Sequence, residues 1–243
     1  MSVPEIYDAL APHYREYAAT RSAYLDAVDQ YVALRIPTGA SSLLDVGAGD
    51  GIRAMGIARR RDIGTVFLCE PSAELARKCR KLPATEVWET TAESIPETRM
   101  RFDVITSLWN VLGHMQNRAE RLRALNRLRT LLKPAGRIFL DLNNRHNAAA
   151  YGWPRVLGRL VLDALAPDER RGDASYLWEI EGRAIPAMGH LFTPAEARLL
   201  FDKSGLRVVE RAAIDYANGR ISQWPLLGQL VFVLTDAETE RTP

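Results

Sequence analysis

Short apolar runs alternate with amphipathic segments up to residue 141. The runs typical of strands occupy residues 42–46, 66–69, 86–88, 102–106 and 137–141. Segments with a helical period precede the first run, at 4–19 and 22–35, and lie between later runs, at 52–60, 72–80 and 118–132. Strands that alternate with helices join through right-handed crossovers, so this pattern predicts a parallel sheet covered by helices on both faces.

The C-terminal part of the chain breaks this alternation. Residues 193–196 combine an N-cap threonine, a first-turn proline and a capping-box glutamate, which predicts a helix over 194–204 that stops at Gly205. Strand-like runs follow at 206–214 and 229–234 with no helix between them, so we expect them to pair antiparallel. The expected fold class is α/β, doubly wound and mostly parallel, with a C-terminal antiparallel strand pair.

Residues 145–190 form an insertion after the fifth strand that has no place in the repeating unit. It contains a helical segment at 155–165, a charged turn at 168–173 and a strand-like run at 176–180. Ligands bind at the carboxyl ends of parallel strands, and the insertion leaves from one of these ends. We therefore expect a lid or substrate insertion, with peripheral decoration as the alternative.

Composition narrows the class of protein. The 243 residues suit a single domain, 1–243, in which residues 1–36 form an N-terminal helical cap. Lys and Arg number 32 against 30 Asp and Glu, so no strong field favours nucleic acid or membrane as partner. Charges throughout the N-terminal segment and the lack of long apolar runs predict a cytoplasmic location. Cys69 and Cys79 have no metal-ligand or disulfide pattern around them, so no metal is expected.

A glycine-rich turn follows the first strand and reads Asp45-Val46-Gly47-Ala48-Gly49-Asp50-Gly51. Its glycines allow a tight turn and close approach of a ligand, and the next helix offers free N–H groups. The dinucleotide fingerprint G-x-G-x-x-G fails, because Ile52 stands at its last position. Asp45 just before the turn favours a ligand that carries an amino group.

Glu70 ends the second strand and is followed by Pro71. An acid at this place can accept hydrogen bonds from ribose hydroxyls, as in dinucleotide-binding folds. The alternative is a carboxylate that only stabilises the dipole of the next helix. Together with the glycine turn, Glu70 indicates a nucleoside site.

These features resemble the seven-stranded S-adenosylmethionine-dependent methyltransferases of the small-molecule type. The likeness rests on the turn at 45–51, Glu70, segments 91–96, 102–114 and 132–136, and the terminal strand pair; it does not cover the insertion. The helix with Tyr7-Asp8-x-x-Ala11-x-x-Tyr14 is similar to the opening helix that closes over the cofactor in this family.

The resemblance implies that the turn lines the methionine moiety, that Glu70 holds the ribose, and that Thr91 and Ala92 border the adenine. Many members have Asp where Thr91 stands, so a hydroxyl or backbone oxygen is expected to meet the adenine amino group here. The full set of implied contacts with S-adenosyl-L-methionine is Tyr14, Asp45, Gly47, Ala48, Gly49, Gly51, Glu70, Pro71, Thr91, Ala92 and Ser107.

The segment at 107–114 follows the fourth strand and should pass beside the transferring methyl group. We predict His114 as candidate base, because its pKa lies near neutrality, and Asn110 as a second catalytic residue. A His without catalytic duty is the alternative. Acceptor contacts are predicted from Trp109, Asn143, His146, Trp178 and His190, each of which can also be an ordinary loop or core residue.

The function expected is methyl transfer to an oxygen or nitrogen of a small metabolite. The segment lacks the N-P-P-Y-like tetrapeptide of nucleobase and glutamine methyltransferases, which favours a small acceptor by elimination. An RNA or protein methyltransferase is one alternative, supported by arginines at 118–129, although leucines at helical spacing predict that these arginines form a solvated face. A protein that binds S-adenosylmethionine without catalysis is another. The oligomeric state stays open.

Overall fold

The computed structural model describes residues 2–180 and 183–238, except the side chains of 178–180, 183, 185 and 186. Its ten strands, in chain order, are β1 Ser42–Val46, β2 Thr65–Cys69, β3 Glu86–Trp88, β4 Phe102–Ser107, β5 Leu132–Leu142, β6 Asp173–Ile180, β7 Arg183–His190, β8 Leu206–Ile214, β9 Ile221–Ser222 and β10 Gln229–Asp236. Its α-helices are α1 Val3–Leu10, α2 Tyr14–Ala19, α3 Ser22–Ala33, α4 Ile52–Arg60, α5 Ala73–Cys79, α6 Arg118–Leu131, α7 Ala148–Tyr151, α8 Trp153–Leu165 and α9 Pro194–Lys203. None of these helices is long and apolar enough to cross a bilayer.

Eight strands form one sheet in the order β3-β2-β1-β4-β5-β10-β8-β9. Strands β1 to β5 are parallel, and β10 lies antiparallel between β5 and β8. Helices α6 and α9 pack in the apolar core of one face, and α3 and α4 pack in that of the other. The predicted α/β class and the antiparallel C-terminal pair are confirmed. The sheet has eight strands instead of the seven expected, because it also contains β9. With only two residues, β9 is too short to give a strand pattern in the sequence.

Several helix and strand boundaries differ from the predicted ones for identifiable reasons. The first predicted helix is interrupted by a 3-10 turn at Ala11–His13, where Pro12 removes a backbone donor. Strand β5 begins at Leu132, which already pairs with Phe102, before a register shift in the strand pair. The capping box of α9 is present, with Thr193 Oγ1 accepting from the Glu196 N–H at 3.1 Å.

The insertion contains an antiparallel hairpin, β6 and β7, where one strand was predicted. Strand β7 was missed because Pro186 and Gly189 weaken its pattern. Strand β7 packs against the 3-10 turn Val111–His114 and against α1, both at the carboxyl edge of the large sheet. The hairpin therefore lies over the edge where ligands bind in this architecture.

Both ends of the insertion are joined by backbone hydrogen bonds. The Phe192 N–H donates to the Asn143 carbonyl at 2.7 Å, and the Arg145 N–H donates to the Phe192 carbonyl at 2.9 Å. Asn144 and Phe192 form a short parallel bridge between these bonds. The insertion thus leaves and re-enters the fold through a narrow neck.

One arginine of α6 departs from the solvated face predicted for this helix, whereas Arg123 is exposed as predicted. Arg121 is 3% exposed, donates to the Leu112 carbonyl and lies with its guanidinium over the Phe192 ring. Arg129 is partly exposed and forms an ion pair with Asp236. For Arg121 the prediction was wrong, because a guanidinium group can reach carbonyls and aromatic rings that are distant in sequence.

Candidate active site

A cavity of about 200 Å³ opens at the carboxyl ends of β1, β2 and β4. It brings together nine of the predicted site residues, namely Tyr14, Gly47, Gly49, Glu70, Pro71, Thr91, Ala92, Trp109 and His114. Tyr7 of the opening-helix motif also lines it, and residues that the sequence did not single out complete the wall, among them Val3 and Pro4 from the first helix and Met115 and Glu120 on the opposite side. Segments far apart in sequence therefore enclose one space.

The glycine turn forms the floor of this cavity. Gly47 and Gly49 have φ angles of 73° and 60°, in the left-handed region that disfavours side chains. A Cβ atom at Gly49 would overlap the Tyr14 hydroxyl, and one at Gly47 would overlap the Val111 side chain. The turn thus needs glycine for its backbone conformation and for the closeness of these two neighbours.

Glu70 lies in the cavity wall at the end of β2. Its two carboxylate oxygens accept hydrogen bonds from the Gly49 N–H at 2.7 Å and the Ser72 N–H at 2.9 Å. The residue is 4% exposed, and burial raises the pKa of Glu70 to about 7. This carboxylate is therefore fixed in position and titrates near neutral pH.

The other predicted cofactor residues lie beneath or beside the cavity. Asp45 and Ala48 line a small adjoining space, and Asp45 accepts a hydrogen bond from Thr106 at 2.6 Å. Burial raises the pKa of Asp45 to about 6. Gly51 packs toward the core instead, and the buried hydroxyl of Ser107 has no hydrogen-bond partner among the described residues.

Two consecutive residues after β4 adopt the left-handed backbone conformation. Trp109 and Asn110 have φ angles of 71° and 61°, which is uncommon for residues other than glycine. The Asn110 N–H donates to Asp141 at 2.8 Å, and the Asn143 N–H donates to the Asn110 side-chain oxygen at 2.8 Å. Asn110 does not line the cavity; it anchors the loop that carries Trp109 into it.

Asp141 is a residue that the sequence reasoning missed. Its carboxylate is buried and accepts from the Asn110 backbone and from the Tyr24 hydroxyl on α3. Burial raises its pKa above the ordinary range. The signal available was an acid near the end of an apolar strand at the ligand edge, the same signal that identified Glu70.

His114 lies at the boundary between the cavity, α1 and the hairpin. Its Nδ1 is 3.4 Å from the Met188 carbonyl, and its Nε2 is 3.1 Å from the Tyr7 hydroxyl. Because a carbonyl can only accept, Nδ1 carries the proton and neutral Nε2 accepts from Tyr7. Burial lowers the pKa of His114, so the ring is neutral near pH 7.

Aromatic side chains surround Trp109. Tyr17 stacks on its ring with centroids 5.5 Å apart, and Tyr14 meets it edge to face at 6.0 Å. The indole N–H donates to the Tyr216 hydroxyl at 3.0 Å. Trp109 is thereby held between the N-terminal helices and the loop that joins β8 to β9, with little freedom to rotate.

Two of the predicted acceptor residues form polar pairs away from the cavity. His146 Nε2 lies 2.9 Å from Asp163 on α8. His190 is 1% exposed, and its two ring nitrogens each lie 2.7 Å from a carboxylate, of Asp173 and of Glu196. These contacts tie the insertion to itself and to α9.

The remaining two predicted acceptor residues are not brought to the cavity by described contacts. Asn143 contributes its backbone to the neck of the insertion. Trp178 belongs to β6, but its side chain lies outside the described residues. Within residues 2–180 and 183–238, no three His, Cys, Asp or Glu side chains cluster as metal ligands would.

Comparisons with known proteins agree with this geometry. A family model described as a methyltransferase domain matches residues 14–211. The ubiquinone biosynthesis O-methyltransferase of Aeromonas salmonicida is 25% identical over 181 residues, which are 72% of this chain and 66% of that enzyme. The chain thus spans just under two thirds of the length of this curated relative.

Two solved structures share the fold over most of both chains. The CcbJ methyltransferase from Streptomyces caelestis has a TM-score of 0.64 at 18% identity and covers 87% of this chain and 90% of its own. CalS10, an amino pentose methyltransferase from Micromonospora echinaspora solved with S-adenosylmethionine bound, has a TM-score of 0.63 at 19% identity and covers 92% and 96%.

At these identities the two structures establish the fold, while the family model covers most of the chain. The glycine turn and Glu70 lie within the matched residues and are brought together in one cavity. The chain therefore belongs to the S-adenosylmethionine-dependent methyltransferases, and its cofactor is S-adenosylmethionine.

Proposed function

We propose that this protein transfers a methyl group from S-adenosylmethionine to an oxygen or nitrogen of a small-molecule acceptor. The observation that carries the proposal is the continuity of one cavity from Glu70 and the glycine turn to Trp109 and His114. The activities named for the relatives, an O-methyltransferase and an amino pentose methyltransferase, support an acceptor of small size.

The residues present fit the cofactor. Gly47 and Gly49 line the cavity without side chains, so the methionine moiety can approach their backbone closely, and Glu70 offers carboxylate oxygens to the ribose hydroxyls. Thr91 and Ala92 form the wall beyond Glu70, where the adenine would lie. When bound, S-adenosylmethionine supplies an electrophilic methyl group on a sulfonium sulfur.

The chain's own residues then align the acceptor and remove its proton. Direct displacement depends mainly on alignment, for which the fixed Trp109 and the closed N-terminal helices provide a rigid wall. Neutral His114 can take the acceptor proton on Nε2 once the acceptor replaces the Tyr7 hydroxyl there. The acceptor atom bonds to the methyl carbon as the methyl–sulfur bond breaks.

The acceptor side of the cavity is aromatic. Tyr7, Tyr14 and Trp109 line it, and Tyr17 stacks on the Trp109 ring. The hairpin reaches His114 through the Met188 carbonyl. Aromatic faces suit a planar or apolar acceptor and attract a nearby cation such as a sulfonium. We infer that the insertion acts as the lid over this side.

The nature of the acceptor can be tested with methyl-labelled S-adenosylmethionine and a fractionated cell extract. We expect label to enter a compound of the small-molecule fraction and not the RNA or protein fractions. Mass spectrometry of the labelled product identifies the acceptor, and heat-inactivated protein serves as the control. Label found only in RNA or protein would overturn the proposed acceptor class.

Changing Glu70 to Ala should weaken binding of S-adenosylhomocysteine by about 1–3 kcal/mol, because hydrogen bonds to a charged carboxylate are lost. Changing Glu74, a half-exposed residue in the first turn of α5, to Ala should leave the affinity unchanged. Titration calorimetry measures both variants, and NAD serves as the ligand that should not bind. Equal affinity in the Glu70→Ala variant and the wild type would mean that the ribose is held elsewhere.

The same carboxylate predicts a pH dependence. Since burial raises the pKa of Glu70 to about 7, the ionised form that accepts from the ribose is lost as pH falls through 7. Affinity should therefore be lower at pH 6 than at pH 8. Glu70→Gln should remove this difference, unless the buried Asp45 causes it.

His114→Asn should reduce kcat by about 10²- to 10⁴-fold if His114 is the base, while S-adenosylhomocysteine affinity stays within a few-fold. In the wild type, burial lowers the pKa of His114, so kcat should fall only as pH drops below about 6.5. Steady-state rates with the identified acceptor measure both effects. An unchanged kcat would mean that the enzyme accelerates the reaction by aligning the acceptor with the methyl group, without proton removal by His114.

Shortening the hairpin tests the role of the insertion. Replacing residues 176–187 by Asn-Gly keeps the Ser175–Met188 pair and closes it with a two-residue turn. We expect loss of turnover with the native acceptor, since the lid is removed, and cofactor affinity within a few-fold of wild type. Turnover at the wild-type rate would show that the acceptor is held by the cavity alone.

A further inference from the structure

The charges in the wall of the cavity are acidic. Glu70, Glu93 and Glu120 line it, whereas no lysine or arginine does so among the residues that the structure describes. Its histidine, His114, is neutral near pH 7 because burial lowers its pKa. A cleft lined by one sign of charge concentrates ligands of the opposite sign. The cavity therefore attracts cations and repels anions.

The cofactor balances only part of this charge. In S-adenosylmethionine the amino and carboxylate groups offset each other, so the net charge is that of the sulfonium. Glu70 serves the ribose in the proposed function, and the ribose hydroxyls are uncharged. Glu93 and Glu120 remain, and their two carboxylates more than balance one sulfonium. With the cofactor bound, the cavity thus still favours a second cation.

Glu120 lies in the part of the wall that carries the candidate base. One of its carboxylate oxygens accepts the Gln116 N–H at 2.9 Å, two residues after His114 in the chain. The other accepts from the Asn117 side chain at 3.2 Å. Gln116 and Glu120 line the cavity together with His114. The carboxylate is therefore fixed in position on the side of the cavity that we assign to the acceptor.

The cation that follows Glu120 in α6 does not face the cavity. Arg121 is buried, and its guanidinium donates to the carbonyls of Leu112 and Met115 at 3.2 and 3.3 Å. The carboxylates that attract its charge, strongest first, are those of Glu196, Asp173, Glu169 and Glu120. Arg121 therefore offers no anion site in the cavity, and Glu120 is the carboxylate of this group that it engages least.

From this charge pattern we infer that the acceptor is a small amine and that Glu120 attracts its ammonium group into the cavity beside His114. The inference rests on the proposed methyl transfer and narrows its target from oxygen or nitrogen to nitrogen. A phosphate or carboxylate on the acceptor would meet carboxylates and no cation there. The aromatic rings of Tyr7, Tyr14 and Trp109 in the same wall also favour a cationic ligand.

An ammonium nitrogen must lose a proton before it can attack a methyl group. The neutral Nε2 of His114, to which the Tyr7 hydroxyl donates at 3.1 Å, takes this proton once the acceptor replaces that hydroxyl. The freed lone pair forms the nitrogen–methyl bond as the methyl–sulfur bond breaks, and the electron pair of the broken bond stays on sulfur. The methylated nitrogen is positively charged again, and the imidazolium releases its proton to water. Acceptor and product are both cations, so the acidic wall suits each of them.

The position of the transferred methyl group in the product tests the acceptor class. The wild-type protein is incubated with methyl-labelled S-adenosylmethionine and the small-molecule fraction of a cell extract, and the labelled product is fragmented in a mass spectrometer. We expect the label on an amine nitrogen. Label on an oxygen would overturn the amine inference and leave methyl transfer to a small molecule in place. Label in no small molecule would overturn both proposals.

Glu120→Gln tests the role of the carboxylate, because it removes the charge and keeps an oxygen that can accept the Gln116 N–H. The KM for the amine identified in the labelling experiment should rise about 3- to 10-fold, since one attractive charge is lost. We expect kcat, melting temperature and S-adenosylhomocysteine affinity to stay near the wild-type values, whereas a purely structural role would lower the melting temperature.

Glu97→Gln is the matched control, because Glu97 is an exposed acid that does not line the cavity. Its KM should equal that of the wild type. A KM that is unchanged in Glu120→Gln, or that rises equally in both variants, would overturn the assignment of Glu120 as the group that attracts the acceptor.

Discussion

The carboxylate of Asp141 lies where three segments of the chain meet, and the shape of the site depends on it. It accepts the backbone N–H of Asn110 and the hydroxyl of Tyr24, so it joins the end of β5 to the loop after β4 and to α3. A buried carboxylate without such donors would be strongly destabilising. Its two partners therefore stabilise each other's position, and the left-handed pair at Trp109 and Asn110 becomes tolerable.

Burial shifts the pKa values of the ionisable groups in and around the cavity. Glu70 and Asp45 are both removed from water beneath the glycine turn, and burial raises the pKa of each toward neutrality. The same exclusion of water lowers the pKa of His114 and keeps its ring neutral. A neutral imidazole and fixed carboxylates in a poorly hydrated space interact more strongly with a bound ligand than they would in water.

Sequence patterns predicted what depends on local rules. Helix α4 and strands β1 and β8 occupy the predicted residues, because periodicity, glycine punctuation and capping specify them locally. The cofactor side of the cavity was also predicted, since the turn and Glu70 follow adjacent parallel strands. Strand β7, with its proline and glycine, carried too weak a local signal to be recognised.

These local rules could not predict the contacts between segments that are distant in sequence. The bond of Asn110 to Asp141, the burial of Arg121 under Phe192 and the pairing of His190 with Glu196 all depend on tertiary packing. A lone histidine in a sequence gives no indication of which carboxylate it will meet. The part of the cavity around Trp109 and His114 is built mostly from such contacts, and it was predicted less completely for that reason.

The narrow neck of the insertion bears on how proteins of this architecture diversify. Hydrogen bonds between Phe192 and the chain at Asn143 and Arg145 close the excursion at its base. Once a loop is closed in this way, its length adds little to the entropy cost of folding. Evolution can then lengthen, shorten or exchange the segment beyond the neck while the sheet and the glycine turn stay unchanged, so the cover of the cavity can change without rebuilding its floor.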